Sequence, residues 1–290
     1  MINNGRRIVL GISGHQTAHL IDWTTNLVNP ADTVRIVHGY RPIPYAATDW
    51  QLPVDSDRLV RGATERHVRA AAARLRRFRP DVVVVEQLVG NPAAAALVEA
   101  AGEADLVLVG TPHCDRSRTV LAQLLAEVCC PVLVIGAGEP VGTGTVMAVL
   151  RGSQADETVL QAAFDQTRLH HRELLVLKPW QPPLDSDLFY AETAEQKMLD
   201  NYLASWRGRH PDVAVLAELR FGEPMRVLTE HAMTADLLVA GLPRPGVEQD
   251  YFEAMLDSVV TARDRPTLVV PELEPSRPLV TVGHPWAAEH

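Results

Sequence analysis

Residues 104–114 read ADLVLVGTPHC, and residues 235–245 read ADLLVAGLPRP. A chain that writes almost the same phrase twice, a domain's length apart, carries an internal duplication. Other blocks agree. Pro80-Asp81-Val82 recurs as Pro211-Asp212-Val213, and Gly90-Asn91-Pro92 as Gly222-Glu223-Pro224. IVLGISGH at 8–15 aligns with MAVLRGSQ at 147–154, and PVLVIG at 131–136 with PTLVVP at 266–271. A length of 290 residues suits two hydrophobic cores better than one.

Each copy alternates short apolar runs with amphipathic or Ala-rich segments. Strands are expected at 8–13, 34–40, 82–88, 106–110 and 132–136, and again at 146–151, 174–179, 213–219, 237–241 and 267–270. The runs VVVV (82–85), LVLV (106–109) and VLVI (132–135) are apolar at successive positions. A strand with one wet face would alternate, so these runs predict strands covered on both faces by crossover helices. The fold class is therefore α/β with parallel sheets. Asn91 as cap and Pro92 at the first helical position should open a helix that stops at Gly102. The Arg- and Ala-rich segment 57–79 should be a surface crossover helix. GAGEPVGTG at 136–144 reads as a linker between a domain at 1–138 and a domain at 144–272, and the Pro-rich stretch 273–290 as an extended tail.

Composition narrows the function. The whole of the formal −9 charge falls in residues 141–290, which argues against non-specific nucleic-acid binding. The three cysteines, Cys114, Cys129 and Cys130, form no C-x-x-C spacing and no even-numbered disulfide framework, so they read as reduced thiols in a cytoplasm. No apolar run approaches the ~20 residues of a membrane helix. MINNGRRIVLGISGH reads as a first strand rather than a leader.

Two five-stranded α/β copies, each with a glycine turn after strand 1, a Gly-x-Pro helix start and an A-D-L-[LV]-V-[AV]-G strand, resemble the universal stress protein family. The ending C-P-V-L-V-I at 130–135 is similar to that family's last strand. The resemblance spans the chain except its tail, and implies two tandem Rossmann-like domains, each with strand order 3-2-1-4-5. It also implies an adenine nucleotide at the carboxyl ends of the strands in many members, a place that the switch-point rule for such sheets shares. Strand 5 is the expected shared edge of an intramolecular pseudo-dimer, with a homodimer as a further possibility.

Nucleotide-binding members of that family carry an Asp after strand 1 and a glycine run, G-x-x-G-x9-G-[ST], after strand 4. Bare glycines let phosphate oxygens approach backbone amides at a helix N-terminus. This chain departs at both places. Ser13 and Arg151 stand where the Asp would be. His113 and Arg244 replace the second glycine, Gly246 is out of place, and Asp257-Ser258 is the nearest remnant of the final pair. A nucleotide, ATP or AMP, is thus possible only through a degenerate motif.

The candidate contacts of such a site are Gly11, Ser13, Gly14 and Gly110 with Arg116, Ser117, Arg118 and Thr119 in the first copy, and Arg151, Gly152, Ser153, Gly241 and Arg244 in the second. Each has a plainer reading. Gly11, Ser13 and Gly14 would serve a tight turn. Residues 116–119 would be a solvated loop with Ser117 as an N-cap, and 151–153 another turn. His113-Cys114-Asp115 has no partner pair at metal-ligand spacing. Neither Ser13 nor Ser117 lies in a nucleophile elbow, so no catalytic set is expected. His170-His171 suits a helix end, and one of Cys129-Cys130 should be packed as a small hydrophobe. Aromatic and proline residues at 40–45 and 178–183 follow strand 2 of each copy, as a lid or a stiff connector. The expectation is a non-enzymatic stress-response regulatory or binding protein with decayed nucleotide sites and an unidentified protein partner. The alternative is a sensor of ATP, AMP or another small anion.

Overall fold

The computed structural model describes residues 5–14, 16–41, 56–111, 113–136, 138, 144–153, 155–182, 188–222, 224–232, 235–243, 252–253, 255–257 and 265–272. Most of the expected linker, the whole tail, and residues 42–45 and 183 of the segments after strand 2 lie outside them. Packing divides the chain into two compact units between Val132 and Leu133.

The first copy is built from β1 (Arg7–Gly11), α1 (Thr17–Leu27), β2 (Thr33–Gly39), α2 (Ser56–Phe78), β3 (Val83–Val89), α3 (Ala93–Ala101), β4 (Leu106–Gly110), α4 (Asp115–Glu127) and β5 (Val132–Ile135). The second holds β6 (Thr145–Val149), α5 (Ala155–His170), β7 (Glu173–Trp180), α6 (Leu188–Arg209), β8 (Val215–Phe221), α7 (Pro224–Ala232), β9 (Leu237–Leu242) and β10 (Thr267–Pro271). Strand order is β3-β2-β1-β4-β5 in one copy and β8-β7-β6-β9-β10 in the other. The paired strands are parallel, with Ile8 opposite Val34 and Leu106, and Val146 opposite Leu174 and Leu237. Each copy thus has the order 3-2-1-4-5.

The repeated Ala-Asp pair has a mechanical role. In the first copy Asp105 accepts the Arg7 amide at 2.8 Å through its carboxylate, and its own amide donates to the Arg7 carbonyl at 2.8 Å. In the second copy Asp236 accepts the Gly144 amide at 2.9 Å, and its amide donates to Thr145 O at 2.8 Å. Ala104 and Ala235, the residues before them, are buried. The pair therefore clips the foot of strand 4 to the foot of strand 1 twice, which is why the phrase is written twice.

Helices cover the sheets through apolar stripes at the expected spacing. α1 buries Leu20, Ile21, Trp23, Thr24 and Leu27. α2 buries Val68, Ala71, Ala72 and Leu75 while its arginines face water. In the second unit Phe164 of α5 stacks on Trp206 at 5.4 Å and on His210 at 4.8 Å between ring centroids. Cys130 is buried and Cys129 exposed, and α5 ends at His170.

Three local expectations are corrected. β4 and β5 are buried along their apolar runs, but the valine run 82–85 is not covered on both faces: Val83 is 57% and Val85 41% exposed. β3 is the last strand on its side and pairs with β2. A continuous apolar run there marks an edge. At α3 the N-cap is Pro92, with extended ψ of 145°, so Asn91 lies one residue outside. At α4 the N-cap is Cys114, and Ser117 is the third helical residue.

Candidate functional site

The carboxyl ends of β1 and β4 in the first copy open into a cleft of about 420 Å³. Its floor is Gly11, Ile12, Val109 and Gly110. Its walls are Ala93 and Leu97 of α3 and Val120, Leu121 and Leu124 of α4. Ser13, Gln16, Thr111, His113, Cys114, Arg116 and Ser117 ring the mouth. This is the switch point, where order 3-2-1-4-5 sends the chain to opposite sides of strand 1. Gly11 is required by packing, because a Cβ there would meet Leu97 Cδ2 at 2.7 Å.

The structure thus gathers Gly11, Ser13, Gly110, Arg116 and Ser117 around one cleft. Gly14, Arg118 and Thr119 do not line it. A Cβ on Gly14 would meet nothing within 4 Å, and the left-handed residue of this turn is Gln16, φ 58°. Thr119 Oγ1 donates to Asp115 O at 2.9 Å, and the Arg118 amide donates to Cys114 O at 3.0 Å. Both belong to the helix rather than to the cleft.

Two amides at the start of α4 already have an acceptor. Ser117 Oγ accepts the backbone N–H of His113 at 3.0 Å and of Cys114 at 3.1 Å, while its hydroxyl donates to Cys114 O at 2.8 Å. Cys114 Sγ lies 3.4 Å from the same hydroxyl and also accepts the Ser117 backbone N–H, which completes a capping box in which the thiol takes the place usually held by a serine or threonine hydroxyl. The Ser117 bond and neighbouring amides hold the exposed Cys114 thiol below the ordinary thiol range. Gly110 is covered as well. A Cβ built on it would sit 2.2 Å from Gln16 Oε1, so the Gln16 side chain occupies the space that the bare glycine leaves.

Beside the cleft, Ser13 is held by its carbonyl rather than offered as a ligand. Thr17 Oγ1 donates to that carbonyl, and His67 Nε2 lies 3.1 Å from it and 3.0 Å from Thr17 Oγ1. The His67 ring meets His38 edge-on, with centroids 6.0 Å apart. Burial first, and His67 second, push His38 below the ordinary imidazole value, against a backbone bond at Ile12 that raises it. The metal alternative gains no support: no group of three or more His, Cys, Asp or Glu poised for an ion occurs among the described residues.

In the second copy the loop after β6 is closed by an internal anion. The buried Asp156 carboxylate accepts the amides of Arg151 at 2.9 Å and Gly152 at 2.7 Å, and Ser153 Oγ accepts that of Ala155 at 3.3 Å. Gly152 takes φ 78°, which a side chain would resist. Gly241 lies inside β9, buried, where a Cβ would meet Val159 Cγ2 at 3.0 Å. Arg244, Gly246 and Ser258 lie outside the described residues. Sequence reasoning fixed on Arg151 and missed Asp156, although an aspartate in the first turn after R-G-S is a recognisable amide acceptor. It also missed Gln16, which carried no motif, and the Cys114 cap, whose C-x-x-S spacing mimics a capping box.

Comparison with known proteins now has geometry to rest on. The model of the universal stress protein family matches residues 5–136. Those residues are a universal stress protein domain. The likeness runs on into the second half. A universal stress protein of Mycobacterium tuberculosis is 25% identical over 261 residues, covering 83% of this chain and 86% of the relative. A solved universal stress protein from Archaeoglobus fulgidus superposes with a TM-score of 0.68 at 12% identity, over 92% of this chain and 96% of that one. The cytoplasmic domain of a prokaryotic cation chloride cotransporter shares the fold at a TM-score of 0.53 and 8% identity, over 91% and 95% of the two chains. Fold alone therefore does not decide the role of this universal stress protein. No helix of the described residues is long and apolar enough to cross a membrane.

Proposed function

We propose that this universal stress protein is a non-catalytic regulatory protein of the cytoplasm that acts by binding a protein partner, with both nucleotide sites closed from within. One observation carries the reading: loop amides before α4 and α5 already have internal acceptors, those of His113 and Cys114 on Ser117 Oγ and those of Arg151 and Gly152 on the Asp156 carboxylate. A phosphate before α4 would have to displace a hydroxyl that caps the helix, and a nucleoside at the loop after β6 would meet a carboxylate already holding the amides.

The test is thermal unfolding with millimolar ATP. Little stabilisation is expected, whereas a ligand at ~100 times its dissociation constant adds about 2.7 kcal/mol. A saturable upward shift overturns the reading. The Arg151→Asp variant restores the family's acidic position, and binding gained only there would identify that arginine as the block.

A second reading, a small-anion sensor of which ATP and AMP are the family's examples, is favoured by one feature. The cleft at β1 and β4 persists, with Arg116 at its mouth.

A further inference from the structure

The cleft of the first copy is built for something other than a nucleotide. Below its mouth the walls are apolar, formed by Ile12, Leu97, Val109, Val120, Leu121 and Leu124, with the buried Thr111 and the Gln16 carboxamide over Gly110 as the polar side chains beside them. At the mouth the main-chain donors of His113 and Cys114 are consumed by Ser117, and Gln16 covers Gly110. One cation remains. Arg116 is exposed, lines the cleft and makes no ion pair among the described residues. Its acidic neighbour Asp115 is not part of the lining. An arginine stays charged at any physiological pH and presents a planar fork that fits a carboxylate in two-point contact. The volume, about 420 Å³, lies within the ~300–1,000 Å³ of small-molecule sites.

We propose that this cleft binds a small amphiphilic acid, with an apolar body between Leu97 and Leu121 and a carboxylate against Arg116. The charge complementarity selects one acidic group, since a single free guanidinium stands at the mouth. The apolar walls select an unbranched or aromatic body over a sugar or a base. The proposal rests on the reading that the phosphate cradle is closed, and it gives the retained cleft a ligand class.

Decanoate, kept below its micelle concentration, is the probe, with decan-1-ol and ATP as parallel arms on the full chain. Two readouts are followed in a Cys129→Ser background: the unfolding temperature, and the rate at which an aromatic disulfide reagent labels Cys114 at the rim. Decanoate should saturate, raise the unfolding temperature and slow labelling of Cys114. Arg116→Gln should weaken it about tenfold, the loss expected for one charge-assisted pair. Val120→Trp should fill the cleft and abolish the response. Ala93→Leu, a smaller filler, provides the same test if the tryptophan variant does not fold.

Failure of decanoate to saturate overturns the proposal, as does unchanged binding in the filled variants. Equal binding of decan-1-ol overturns the assignment of an acid. Silence from both decanoate and ATP overturns this inference alone. Saturable binding of ATP without decanoate overturns both this inference and the closed-cradle reading.

Discussion

Oδ2 of Asp156 lies 2.7 Å from the backbone nitrogen of Gly152. With Oδ1 on the Arg151 amide at 2.9 Å, one side chain holds both amides of the turn between β6 and α5. Replacing Asp156 with Ala orphans both amides. The variant should lose about 1–3 kcal/mol of stability, measured by urea unfolding near neutral pH.

The same residue carries a pH signature. Burial raises the Asp156 carboxyl above the ordinary range, and the two amide bonds offset this in part. The folded value lies above the unfolded one, so the protonated group's contribution is complete below about pH 3.9 and is lost as pH rises through the raised folded value. Asp156→Asn should flatten that limb of the stability profile. A wild-type profile identical to the variant's would contradict the assignment.

His38 gives the opposite slope. Its imidazole is held low by burial and then by His67, so the folded protein favours the neutral ring. Stability should fall as pH drops from about 6.5 through the lowered folded value, because the unfolded chain takes up the proton first. His38→Gln should remove this dependence, and the imidazole proton shifts of the native protein should titrate below the ordinary range.

Ser117 joins a helix cap to a thiol. Ser117→Ala should destabilise α4 by about 0.5–2 kcal/mol, the usual cost of losing a capping side chain. It should also raise the Cys114 thiol, whose depression depends first on the Ser117 hydrogen bond. In a Cys129→Ser background, labelling of Cys114 near neutral pH should slow. Unchanged labelling would detach the thiol from its cap.

Asp32 anchors the foot of the first sheet. It is 2% exposed and accepts the Arg6 amide at 2.8 Å, the Arg6 guanidinium at 2.6 and 3.0 Å, and the Asn29 amide at 2.9 Å. Asp32→Ala removes the carboxylate that pairs with Arg6, leaving its bond to Leu27 O, and should cost about 3–5 kcal/mol, read from the shift of the urea midpoint at constant m-value.

The fold was legible because its signals are periodic and local. Strand 4 was bounded at 106–110 from ADLVLVG alone, since a buried parallel strand has to be apolar at every position and a glycine has to end it. The run at 82–85 misled for the converse reason: an edge strand and a central strand share a composition, and the neighbour that distinguishes them lies far away in sequence. Caps were misplaced by one residue at α3, where Asn91 before Pro92 offered two starts. At α4 a cysteine cap has no strong prior.

The candidate site was legible in what it had lost. Absent glycines and the absent acid could be read directly. What replaced them was harder to read: Gln16 over Gly110 is a relation between side chain and backbone that no motif encodes, and Asp156 under Gly152 is marked only by an acid in the first turn after R-G-S. Arg116 was read as part of a loop. Its isolation at the mouth of an apolar cleft required three elements to be brought together.

Gln16 adopts a backbone shape that ordinary residues enter at a cost of about 1–2 kcal/mol. Its amide is therefore a stopper seated against a spring. Glycine at this one position would both relax the turn and bare Gly110, so on this side a covered backbone and a naked one are a single codon apart.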